Sequence, residues 1–150
     1  MSLAELTSAQ KQRQSWMGIL ARSSPQDLEQ ELAHIDAAPR YTFLREPEIG
    51  LVMVRGRAGG TGARFNLGEM TVSRCSVTLS NGTIGHGYVK GRDRRHAELI
   101  AVFDALFLES GAAHPFVSEL AEKQSQIKQQ KSAKAAATKV DFYTMVRGED

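Results

Sequence analysis

The sequence has one cysteine, Cys75, in 150 residues. A lone thiol excludes an internal disulfide framework and any metal site built from several cysteines. No apolar stretch approaches the ~18–20 residues that a bilayer span requires. Residues 1–11 are polar and hold no hydrophobic signal region. The simplest compartment for such a chain is the cytoplasm, with no membrane as partner. Charge of one sign is also scarce. The 19 Lys and Arg are nearly balanced by 17 Asp and Glu, leaving a net charge of +2. That balance argues against nucleic acid or another bulk polyanion as partner, although charge can still cluster locally. There is no internal repeat. Zinc-protease His-Glu-x-x-His, paired Cys-His spacing and the Gly-x-Ser-x-Gly nucleophile elbow are all missing.

What remains is ordinary for a soluble globular protein: 41% hydrophobic and 24% charged residues. A chain this long can bury roughly 68–70% of its unfolded surface, enough for one core. We expect a single domain over residues 1–150, with a core at 8–115, a polar helix or tether at 116–139 and a tail at 140–150. The pattern predicts an α+β fold, an antiparallel sheet with hairpins packed against helices. Trp16, Ile19 and Leu20 share one face of a first helix at 8–21. Ser24-Pro25-Gln26-Asp27 opens a second helix, with Ser24 as cap, Pro25 at the first position and Asp27 as capping-box acid. Leu28, Leu32 and Ile35 form its stripe, and together the two helices read as a helical hairpin. Residues 41–45 and 49–57 read as separate strands. The run Leu51-Val52-Met53-Val54 fits a strand buried on both faces. Residues 65–80 are extended, but their apolar parity changes from Met70 and Val72 to Cys75, Val77 and Leu79, which predicts a bulge near Ser73-Arg74. Asn81-Gly82 signals a hairpin pairing 72–80 with 83–91. Gly85 and Gly87 lie on one face of the return strand, where another backbone can approach. Asp93 caps a third helix ending at Gly111, apolar nearly all round except for Glu98, Asp104 and Glu109. Residues 116–139 start with Phe116, Val117 and Leu120 and turn into a polar Ala/Lys/Gln tract with no face to bury.

Two basic, glycine-rich stretches could carry chemistry. In the first, Arg55, Arg57 and Arg64 flank Gly59, Gly60 and Gly62. Converging backbone N–H groups and forked guanidinium donors suit a phosphate or phosphonate. The plain alternative is a flexible hairpin connection with solvated arginines. No Gly-Lys-Ser/Thr follows, so it is not a P-loop. The second stretch ends a strand and opens the third helix with Arg92, Arg95 and His96. A helix start favours anions, whereas His96 can equally be a space-filling side chain with Asp93 as a simple cap. We expect the two stretches to lie together as one basic surface. No catalytic residue and no metal ligand set is assigned. Cys75 sits on the apolar parity of its strand and reads as a buried structural thiol. The residues alone leave two readings open, a self-sufficient small anion-binding enzyme or a subunit of an assembly.

Longer words narrow this. Arg13-Gln14-Ser15-Trp16-Met17, then Gly50-Leu51-Val52-Met53-Val54-Arg55-Gly56-Arg57-Ala58-Gly59-Gly60-Thr61-Gly62, Phe65-Asn66-Leu67-Gly68-Glu69, Gly87-Tyr88-Val89-Lys90-Gly91-Arg92-Asp93 with His96-Ala97-Glu98, and Lys139-Val140-Asp141-Phe142-Tyr143-Thr144-Met145-Val146-Arg147-Gly148 follow in order. Together they resemble the PhnG family of the bacterial carbon–phosphorus lyase core complex, from about Arg13 to Gly148. Nothing is carried onto the residues before Arg13 or onto 116–134. The resemblance implies a cytoplasmic subunit in phosphonate catabolism, assembled with PhnI, PhnH and PhnJ, PhnI being the expected direct partner. That complex is expected to transfer the ribose 5-triphosphate moiety of ATP to an alkylphosphonate with release of adenine. This chain would be accessory, with no cofactor of its own. The iron–sulfur cluster and S-adenosylmethionine belong to another subunit, in keeping with a single cysteine here. Val140, Phe142, Tyr143, Met145, Val146 and Arg147 lie beyond the polar tract and are the expected partner-docking tail.

Overall fold

Capping residues set the helix limits in the computed structural model, which describes residues 6–35 and 39–140. Helix α1, Ser8–Arg22, starts at a capping box in which Thr7 and Gln10 satisfy each other's backbone N–H groups. Helix α2, Pro25–His34, starts at Ser24, whose Oγ accepts from the Asp27 backbone N–H at 3.1 Å. The Asp27 carboxylate does not close a box; it receives Lys123 Nζ at 2.8 Å. Strands β1, Tyr41–Arg57, β2, Arg64–Leu79, and β3, Ile84–Lys90, form one antiparallel sheet in the order β1-β2-β3. Helix α3, Arg94–Ser110, and helix α4, Phe116–Ala137, follow. The α+β class expected from the sequence is thus observed.

The core forms where α3 crosses the sheet. Cys75 and Val77 of β2 face it beside Gly87 and Gly85 of β3. A Cβ added at Gly85 would lie 2.0 Å from the Ala101 carbonyl oxygen, and one at Gly87 1.8 Å from that of Ala97. Only glycine lets helix and strand backbones meet this closely. Both α1 and α2 lean on α3, bringing Trp16, Leu20 and Leu28 into the same cluster. Phe116, Val117 and Leu120 join it, so the core reaches past residue 115 into the first turns of α4. Beyond Leu120, Gln124 donates to the Ile19 carbonyl at 2.9 Å, and the remainder of α4 from Ser125 is exposed, helical by propensity as its Ala/Lys/Gln composition dictates.

Three strand expectations are corrected. Residues 41–45 and 49–57 are one strand, not two, because β1 is an edge strand and absorbs Pro47 in an irregular step between Arg45 and Glu48. No bulge falls at Ser73-Arg74, since β2 pairs with β3 without a break from Val72 to Thr78. The register shifts are at Phe43/Arg45, Arg45/Glu48 and Val54/Arg55. The parity change has a different origin: Val72, 1% exposed, is buried on the opposite side of β2 from Ser73, whose Oγ donates to the Gly91 carbonyl. Finally, the run Leu51–Val54 is a strand but is not buried on both faces: Leu51 is 60% and Met53 51% exposed.

Candidate functional site

The exposure of that run follows from strand lengths. β1 and β2 pair from Tyr41↔Leu79 out to Arg57↔Arg64, whereas β3 ends its pairing at Lys90↔Val72. Residues 51–57 and 64–71 therefore leave the body as a two-stranded arm. Its turn is the 3-10 segment Ala58–Gly60. Gly59 and Gly60 take φ of 59° and 79°, a region that favours glycine. Gly62 donates its N–H to the Ala58 carbonyl at 2.9 Å, and a Cβ there would approach that oxygen to 2.7 Å. The three loop glycines thus have local conformational reasons to be glycine. Arg55, Arg57 and Arg64 surround Gly56 in a shallow hollow of about 310 Å³ at the arm's end. The side chain of none of the three forms a hydrogen bond or ion pair with another described residue.

The second basic stretch is elsewhere. Gly91 donates to the Thr71 carbonyl at 2.9 Å, which fixes the start of α3 at the base of the arm. Arg55, opposite Asn66, lies five strand residues further out and Arg64 seven, roughly 17 and 23 Å at 3.3 Å per residue. The expected single basic surface is therefore not formed. Its members also differ in state. Arg95 holds Glu29 through Nε at 2.6 Å and Nη2 at 3.0 Å, and reaches Glu98 at 2.9 Å. These bonds raise its pKa, the Glu29 hydrogen bond most, and the same bond lowers that of Glu29. His96 is 6% exposed and its Nε2 donates to the Leu20 carbonyl at 3.1 Å, a bond that ties α3 to α1. Arg95 and His96 therefore hold the fold together here, while the Arg92 side chain is exposed and has no partner among the described residues.

Sequence reasoning missed the best-connected polar group. Asp104 is fully buried in α3 and accepts four hydrogen bonds: from Arg13 Nε at 3.2 Å and Nη2 at 2.7 Å, Trp16 Nε1 at 2.9 Å and the His86 backbone N–H at 2.9 Å. It joins α1, α3 and β3 at one point. The signal was present, because an acid in a helix apolar nearly all round must find partners. Arg13 and Trp16, three apart on α1, supply them.

On the sheet face away from α3, His86 Nδ1 lies 2.8 Å from Ser76 Oγ. Asp104 takes the His86 backbone N–H rather than its ring. The pair is thus not a triad. Nearby, Glu48 is held by Arg45 and by Arg74 at 2.6 Å, which lowers its pKa through hydrogen bonds to Arg45 first and Arg74 second. Cys75 is 1% exposed, and burial, with a smaller contribution from Glu98, pushes its thiol up to about 11. At neutral pH the buried thiol therefore stays protonated. Among the described residues no group of three or more His, Cys, Asp or Glu could hold a metal ion, and no helix is long and apolar enough to cross a membrane. Of the expected docking tail, Val140 is 67% exposed. Phe142, Tyr143, Met145, Val146 and Arg147 lie outside the described residues.

Comparison with known proteins places this arrangement. The model of the family described as phosphonate metabolism protein PhnG matches residues 11–148. The chain belongs to the PhnG family. It is also 47% identical, over 93% of its length and 91% of the relative's, to the alpha-D-ribose 1-methylphosphonate 5-triphosphate synthase subunit PhnG of Rhizobium meliloti (strain 1021). The PhnG match takes in the arm, Asp104 with its α1 partners, and the tail up to residue 148.

Proposed function

We propose that this PhnG chain is a subunit of an alpha-D-ribose 1-methylphosphonate 5-triphosphate synthase. The observation that carries this is the 47% identity along nearly the full length of both chains. In the reaction we assign to the complex, a phosphonate oxygen attacks ribose C1 of ATP. The glycosidic bond breaks, adenine leaves, and the 5-triphosphate stays on the ribose. The proposed partners are PhnI, as direct neighbour, with PhnH and PhnJ in the same cytoplasmic hetero-oligomer. The iron–sulfur and S-adenosylmethionine chemistry is assigned to another subunit, and this chain is given no cofactor of its own.

The geometry supports an accessory role. The basic residues singled out in the sequence are split between the arm tip and the base of α3, and two of them are engaged in holding the fold. Among the described residues, the one serine–histidine contact, Ser76 with His86, has no acid on the imidazole to orient it. The test is reconstitution. The complex lacking this chain, the chain alone and the full set are each given ATP and methylphosphonate, and adenine release is measured. Release by the full set alone is expected. Release by the purified chain alone would establish the self-sufficient enzyme instead.

A further inference from the structure

A strand pair that is apolar on both faces belongs between two layers. The arm has that character but only one chain's worth of cover. On one face Leu51 and Met53 stand 60% and 51% exposed, and Arg55 and Arg57 continue the same row towards the tip. On the other, Phe65 and Leu67 lie over Gly56 and are 45% and 66% exposed. A stem of seven to eight residues per strand is roughly 25 Å long and 10 Å wide. Its two faces offer about 500 Å², more than half of the ~800 Å² that each partner contributes to a standard interface.

We propose that another subunit of the same assembly covers the arm, presenting an apolar wall along the stem and carboxylates where the tip ends. This deepens the subunit reading and rests on it. The charge at the tip selects the partner. Arg55, Arg57 and Arg64 converge there with no ion pair to any described residue. Glu69, opposite Met53, is the arm's only carboxylate and does not reach them. A second copy of this chain is a poor match. Of the carboxylates near its arm, Glu48 is held by Arg45 and Arg74, and Glu98 by Arg95 and Tyr41, which leaves only the separate Glu46 and Glu69 exposed among the described residues. Three converging arginines are better matched by a different chain that presents several free acids together than by these two isolated ones. Arginine beside large apolar side chains is also the composition of interface centres.

The experiment co-expresses the tagged chain with the remaining synthase subunits. It uses a stem variant, Leu51→Ser/Met53→Ser/Leu67→Ser, and a tip variant, Arg55→Glu/Arg57→Glu/Arg64→Glu. Because these side chains are exposed, both variants should melt with the wild type when isolated. Each should bind its co-expressed partners at least about tenfold more weakly. Amide exchange at 51–57 and 64–71 should slow in the wild-type complex relative to the isolated chain. Wild-type affinity in both variants, with unprotected arm amides, overturns the proposal. So does a wild-type chain that self-associates when alone and becomes monomeric in the stem variant, since a second copy is then the occupant. A tip variant that assembles normally but no longer supports adenine release assigns the arginines to the triphosphate and overturns the acidic wall. A wild-type chain that assembles with none of the subunits fails differently, because it removes the subunit reading itself.

Discussion

Replacing Asp104 by alanine should cost this protein much of its stability, although its own side chain is wholly buried. The carboxylate is fully buried, while the Arg13 side chain is 35% exposed. When Asp104 is removed, Arg13 can turn to water, so the loss of its charge pair is partly recovered. The other two donors cannot. Trp16 Nε1, in a residue 5% exposed, and the His86 backbone N–H are left inside without an acceptor. Each buried unsatisfied group costs about 1–3 kcal/mol. With the vacated volume and the residual charge term, the expected loss is about 3–5 kcal/mol, as for other broken buried pairs. On a total of roughly 5–15 kcal/mol that is a large share. It corresponds to a melting temperature lower by about 6–20 °C for a domain of this length. Urea unfolding followed by far-UV circular dichroism measures it, avoiding Trp16 as a probe because its own environment changes. Asp104→Asn should fall between. Its amide can accept from Trp16 but sets an NH2 against donors. Arg13→Ala and the double variant complete a cycle, and the two losses should be less than additive because the residues share one network. A loss for Asp104→Ala below about 1 kcal/mol would refute the view that this carboxylate pins α1, α3 and β3 together.

Three further outcomes follow from the same structure. Gly87→Ala drives a Cβ to 1.8 Å from the Ala97 carbonyl and should unfold the chain or destabilise it by more than about 3 kcal/mol, whereas Gly68→Ala meets nothing within 4 Å and should stay within about 0.5 kcal/mol; thermal melts of both decide. Cys75 ionises at about 11 in the folded chain against an ordinary 9.0, so between those values the unfolded chain has lost the proton that the folded chain keeps. Stability should therefore fall as pH rises through that window, by up to about 1.4 kcal/mol per pH unit, and Cys75→Ala should remove that part of the slope; equal slopes would show that the thiol is not buried. Truncation after Lys139 should leave melting unchanged, since the core cluster runs from Trp16 to Leu120, while weakening co-purification with partner subunits; an unfolded truncated chain would show that the tail folds back on its own domain.

What the sequence by itself determined is what short-range chemistry controls. Ser24-Pro25 and Asp93 placed helix starts, Gly111 at φ 77° ended α3, and Asn81-Gly82 turned β2 into β3. Each of these acts through its own backbone or that of a residue a few positions away, so the signal is local. The family words were equally legible, because they are the sequence itself. Gly85 and Gly87 announced a close approach, although not which helix would make it. Only the tertiary structure decided the rest. His96 and Arg95 sat in an anion-suited stretch, but their partners, Leu20 and Glu29, come from α1 and α2 more than sixty residues away. Asp104 looked like an exception on an apolar helix until folding brought Arg13 and Trp16 from 91 and 88 residues away. The run Leu51–Val54 shows the division most plainly. Its apolar character correctly marks a strand, but within the described residues it is not buried on both faces, with Leu51 and Met53 more than half exposed. Whether this chain covers both faces depends on where β3 stops, and β3 stops at Lys90, opposite Val72, short of the arm. A strand's pattern states what its faces require, while only the length of its neighbours decides whether the requirement is met within one chain.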